Sequence, residues 1–143
     1  MPPRSRSQRQ ADVRAKLRDD VDLWVASADE IGEAYLVPLS FHWDGAALTL
    51  ATPRTSPTAV NLLRAGRARV ALGPTRDVVI VEGTVAELPR GADPELERAF
   101  AAAAGFDPPE GYVYLRITPR EIQAWREADE LAGRRLMRDG AWL

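Results

Sequence analysis

Cysteine is absent from the 143-residue chain, which removes disulfides, thiolate metal sites and cysteine nucleophiles. Histidine is nearly absent, with His42 the only one. A zinc hydrolase, a haem protein with a proximal histidine or a Ser-His-Asp enzyme would each have to rest on that imidazole, so no metal centre is expected. Lys16 is the only lysine, leaving 18 arginines (19 − 1) among the basic residues, and 21 acidic residues bring the net charge to −2. Such a chain has no global field to gather nucleic acid at long range, so any phosphate is bound locally. No apolar run approaches the roughly 20 residues that span a bilayer. The basic start, Met1 to Gln10, has no apolar stretch behind it of the kind a secretory leader needs. The chain reads as cytoplasmic, with neither nucleic acid nor membrane as partner.

What is present is a globular composition, 45% apolar and 28% charged, in a chain of single-domain length. Residues 1–20 read as an N-terminal extension with a short helix, in which Val13 and Leu17 lie four apart; residues 21–143 read as one folded domain with a C-terminal tail. Val21, Leu23 and Val25 alternate with Asp22 and Trp24 as a strand, followed by a polar turn from Ser27 to Glu33. Tyr35 to Trp43 is a second strand whose long apolar run predicts burial on both faces. Asp44-Gly45 is a hairpin turn leading into a third strand, Ala47 to Thr52. Ser56-Pro57 opens a helix that ends at Gly66, with serine as cap and proline in the first turn.

Arg69 to Gly73 and Val78 to Leu88 read as two more strands, and Gly83 inside the second marks a bulge or a close approach by another group. Asp93-Pro94 starts a helix through Ala104, capped by Gly105, that would cover a barrel end. Tyr112 to Ile117 is a last clear strand, which Thr118 to Trp125 extends. Short strands joined mainly by hairpins favour an antiparallel barrel with helices over its ends, and no glycine-rich dinucleotide or Walker fingerprint appears.

The stretch most suggestive of chemistry is Thr52-Pro53-Arg54-Thr55-Ser56-Pro57-Thr58. It joins a strand end, four hydroxyls, one guanidinium and a helix N-terminus, a combination suited to an anion such as phosphate. An ordinary N-capped helix after a strand accounts for the same residues.

The segment from Tyr35 to Gly45, the Ala51-Thr52 strand end, Ser56 to Leu62, Arg69 to Leu72 and the Val79-Val81-Glu82-Gly83-Thr84-Val85 run together resemble the pyridoxamine 5′-phosphate oxidase-like family of split-barrel flavoproteins. The resemblance covers roughly residues 20 to 126 and lies in order and spacing. It implies a six-stranded antiparallel split β-barrel, mainly β with helices, working as a homodimer with FMN or a deazaflavin coenzyme of the F-420 type at the subunit interface. A Thr-x-x-x-Ser-x-Lys pattern places Thr52, Ser56 and Thr58 at the phosphate, with threonine where the family has lysine, so Arg54, Arg64 or Arg76 would have to supply the missing cation. Thr55 lies inside the same loop. The strand through Val37, Pro38, Leu39 and Ser40 would run beneath the ring system. Trp125 and Arg135, ten residues apart, match in spacing a pair contributed from the second subunit.

The leading expectation is therefore an FMN- or deazaflavin-dependent oxidoreductase that transfers hydride to or from a small-molecule substrate, the cofactor doing the redox chemistry. The alternative is a non-catalytic split barrel that binds or carries a flavin-like cofactor. The dimer interface is expected on an apolar barrel face with Trp125 or Trp142.

Overall fold

A computed structural model describes residues 2–143; Met1, the start of the expected extension, lies outside the described residues. Helix α1 (Arg6–Asp19) is followed by β1 (Asp22–Ala28), β2 (Ala34–Trp43), β3 (Leu48–Pro53), α2 (Pro57–Ala65), β4 (Arg67–Leu72), β5 (Val78–Leu88), α3 (Pro94–Ala104), β6 (Tyr112–Trp125), β7 (Arg135–Arg138) and β8 (Ala141–Trp142). The strands run in the order β3-β2-β1-β4-β5-β6, and β6 returns to pair with β3, closing a six-stranded antiparallel barrel. The short β7–β8 hairpin turns at Asp139-Gly140, both at positive φ, and extends the sheet beyond β6; the sequence reading passed over that Asp-Gly pair.

Local chemistry explains the element boundaries. Asp44 Oδ1 accepts the N–H groups of Ala46 and Ala47, both at 2.8 Å, and Trp43 faces Leu48 across the hairpin. Ser5, Ser56 and Asp93 cap the three helices by accepting the N–H groups of Gln8, Ala59 and Leu96. Gly83 sits where the β5–β6 register shifts, facing Pro119. An added Cβ would lie 2.3 Å from the Thr118 carbonyl oxygen, so only glycine fits. Because Pro119 lacks an N–H, it is tolerated at this bulge inside a 14-residue strand.

The barrel interior is filled by Leu23, Val25, Phe41, Leu50, Val70, Val81, Leu115 and Ile122, each at most 2% exposed. Val13 and Leu17 of α1 join that core at 1% exposure, so the first helix belongs to the barrel despite its thin apolar face. Phe100 of α3 packs edge-on against Tyr114 with centroids 5.8 Å apart, and α3 contacts the barrel through β2.

The expectation that β2 is buried on both faces is corrected. Only Phe41 is fully buried, Val37 and Leu39 pack inward at partial burial, and Leu36 on the outer face is 61% exposed. Next to it Trp24 is 51% exposed, and the register sets Trp24 beside Pro38 and Ala26 beside Leu36. The apolar run that suggested two buried faces thus has one covered by the core and one open in the single chain. Among the described residues no helix is long and apolar enough to cross a membrane.

Candidate functional site

Strands β2 and β3 pair at only three positions, ending at Phe41 opposite Leu50. Beyond that point β2 pairs only with β1, and Ala51 to Pro53 pair only with β6. The barrel splits here, and the N-terminus of α2 follows directly after β3. A cradle forms at the split because the chain must turn from a strand into a helix whose first N–H groups lack intrahelical partners.

Thr52 Oγ1 lies 3.1 Å from Ser56 Oγ, and Ser56 Oγ also accepts the Ala59 N–H at 3.1 Å. Thr52 is 4% exposed, Ser56 is half-buried and Thr55 is exposed. The loop is fixed by the Arg54 N–H donating to the Gly111 carbonyl and the Ser56 N–H to that of Pro53, both at 2.9 Å. Thr58 is 1% exposed, so its side chain is packed inside, away from the solvent side of the cradle. Arg54 forms a forked pair with Glu87 at 3.0 and 2.6 Å. Hydrogen bonding to that carboxylate raises the guanidinium's pKa and lowers that of Glu87. The pair is solvent-exposed, so an incoming anion can compete for Arg54.

Val37, Pro38, Leu39 and Ser40 lie opposite Val25, Trp24, Leu23 and Asp22 of β1, and the Ser40 hydroxyl donates to Asp22 at 2.8 Å. Their other edge faces the split, one residue beyond the last pair with β3.

The remaining sequence candidates stand elsewhere. Arg76 is exposed in the β4–β5 loop and pairs with Glu127 at 2.8 Å. Trp125 ends β6 under the Arg134 guanidinium, 6.0 Å from the ring centroid, and Arg135 starts β7 with Glu121 at 3.9 Å. Thr52 faces Val113 near the start of β6, and Trp125 is twelve positions further along (125 − 113). At ~3.3 Å per residue that is about 40 Å of strand path. One chain does not bring the two groups together.

Sequence reasoning missed Glu87 as the partner of Arg54, Trp24 on the open outer face, and the contact between Arg4 and Glu130 described in the Discussion. Trp24 did carry a signal, as a large aromatic at a polar-phase position of an alternating strand.

A six-stranded antiparallel barrel, split beside the N-terminus of a helix, defines the split-barrel class. The sequence profile described as "Pyridoxamine 5'-phosphate oxidase" matches residues 10–126, which is most of the chain, and the chain belongs to that family. No curated protein sequence matches it. Among solved structures it is similar to PhzG from Burkholderia lata 383 in complex with tetrahydrophenazine-1-carboxylic acid, at 21% identity and TM-score 0.63 over 96% of this chain and 85% of that one. It is also similar to an F420 reductase, at 14% identity and TM-score 0.64 over 76% of this chain and 94% of that one. A third is HutZ, a heme storage protein from Vibrio cholerae, at 13% identity and TM-score 0.63 over 80% of this chain and 93% of that one. At these identities the likeness is one of fold.

Proposed function

We propose that two copies of the chain hold FMN or an F-420-type deazaflavin between them and use it to transfer hydride to or from a small molecule. The observation that carries this reading is the Thr52–Ser56 hydroxyl pair, 3.1 Å apart at the N-terminus of α2 beside the split. These groups suit the phosphate of a flavin: two hydroxyls can donate, the helix dipole favours a negative charge, and Arg54 can exchange Glu87 for the ligand. The family's lysine position holds the buried Thr58, so the cradle depends on neutral donors and one exposed arginine.

A bound flavin would supply the two-electron chemistry. The chain's part is to bind and orient: Thr52, Ser56 and Arg54 hold the anionic tail, and the free edge of Val37–Ser40 offers backbone groups to a polar ring edge. No side chain is required as a general base. Arg76, Trp125 and Arg135, remote from the cradle of their own chain, would reach that of a second copy. The fold shared with an F420 reductase supports the deazaflavin as the alternative to FMN.

Visible absorbance of the purified protein, followed by titration with FMN and with a deazaflavin, tests the reading. The expected result is saturable binding of one of them, with Arg54→Ala weakening it on the order of tenfold as a charge-assisted contact is lost. Binding that is indifferent to Arg54 and to Ser56→Ala would move the site away from this loop, and failure of both cofactors to bind would end the proposal. That the cradle's own loop supplies only one cation favours a second reading, a carrier that binds the cofactor without turnover. A bound chromophore that no hydride donor reduces would support the carrier over the enzyme.

A further inference from the structure

At the opposite end of α2 from the cradle lies a groove of about 460 Å³, between the end of β1, the last turn of α2 and the start of β4. Its exposed apolar surface comes from Ala26, Ala28 and Ala65, with the buried Leu62 and Ala68 behind them. Three guanidinium groups line it, those of Arg64, Arg67 and Arg69. Strand alternation puts Arg67 and Arg69 together on the outer face, since Ala68 and Val70 between and after them are buried.

The two acids in the groove are already engaged. Asp29 Oδ1 accepts the N–H groups of Ile31 and Glu33 at 3.0 and 2.8 Å, closing its own turn. Glu82 pairs with Arg69 at 3.0 Å. Arg64 uses one nitrogen on the Ala28 carbonyl at 2.6 Å, which fixes its stem and leaves its other donors free. Arg67 has no anionic partner among the described residues.

The groove also holds a buried polar pair. Asn61 is 5% exposed, and its amide donates to the Ser27 hydroxyl at 3.1 Å. In either amide orientation the pair keeps at least one spare donor, because the amide has two N–H groups and the hydroxyl one proton. The C-terminal dipole of α2 opposes an anion here, but Gly66 caps the Leu62 carbonyl at 2.8 Å and Arg64 stands in the last turn.

We propose that this groove is a second ligand site, separate from the cradle, for a small apolar molecule carrying a carboxylate or phosphate. Arg67 and Arg64 meet the anion, the Asn61–Ser27 pair adds a neutral donor, and the surface of Ala26, Ala28 and Ala65 takes the apolar body. The two sites lie at opposite ends of a nine-residue helix, about 13 Å apart along its axis. This proposal stands whether or not the cradle holds a flavin.

Calorimetry with phenyl phosphate, benzoate and inorganic phosphate tests it on the intact protein. Phenyl phosphate and benzoate are expected to saturate, and inorganic phosphate to bind at least fivefold more weakly because it leaves the apolar surface unused. Arg67→Ala should weaken phenyl phosphate about tenfold and Arg67→Glu should abolish it, with both variants keeping the parent thermal midpoint and FMN titration. Equal binding by Arg67→Ala, displacement of phenyl phosphate by FMN, or no saturation by either organic anion would each overturn the proposal. Equal affinity for inorganic phosphate would remove the apolar body from it.

Discussion

Glu130 is the one buried acidic residue among the described residues. It is 3% exposed and accepts from Arg4 three times, at 3.0 Å from the backbone N–H, 2.9 Å from Nε and 2.6 Å from Nη2, and once from the Arg126 N–H at 2.9 Å. Hydrogen bonds from Arg4 hold its pKa at about 2, against an ordinary 4.5. A carboxylate depressed in the folded state stabilises the fold above its unfolded pKa. That contribution falls away as pH drops from about 4.5 toward 2. Glu130→Gln is expected to lose about 3–5 kcal/mol at neutral pH, because Arg4 is left half-paired in a buried site. Its stability should also depend less on pH over that acid window. Urea unfolding of both proteins across the window checks this, and parallel curves would show that Glu130 is not the group responsible. None of this was legible locally: Glu130 stands in a charged run like any surface residue, and its partner is at the other end of the sequence.

At the scale of elements, the β5–β6 pairing depends on one missing side chain. Gly83→Ala would drive a Cβ into the Thr118 carbonyl oxygen. Backbone cannot swing aside as a flexible side chain does, so the expected cost is about 1–3 kcal/mol, toward the upper end. A thermal midpoint equal to the parent's would mean the bulge relaxes freely. The glycine was visible in the sequence as an interruption of an alternating strand, whereas its opposite number Pro119 was not, because that pairing joins strands separated by α3. Helix α1 gives the same lesson with another cause. Two apolar residues make a thin stripe, yet both are in the core, since Arg9 and Arg4 secure the helix through polar contacts that a count of apolar residues does not register.

For the whole molecule, the proposed second copy would cover the open wall around Trp24, Leu36 and Pro38 and would bring together the candidate residues divided between two ends of β6. Leu36→Asp with Trp24→Asp is expected to turn a dimer into a folded monomer by light scattering and to abolish cofactor binding with it. An unaltered dimer would place the interface elsewhere, and a parent that is already monomeric would remove the two-copy site. What the sequence by itself determined is what spans a few residues: the Asp44-Gly45 hairpin, the Ser56-Pro57 and Asp93-Pro94 helix starts, the strand alternation and the hydroxyl pair at Thr52 and Ser56. Each rests on backbone preference or on a side chain reaching its own neighbours. Only the tertiary structure decided that Leu50 meets Leu115 to close the barrel, that Thr58 is packed inside while Arg54 turns to Glu87, and that Trp125 stands far from Thr52. Those outcomes follow from which distant surfaces bury one another, and burial across the barrel leaves no mark on the residues adjacent in sequence.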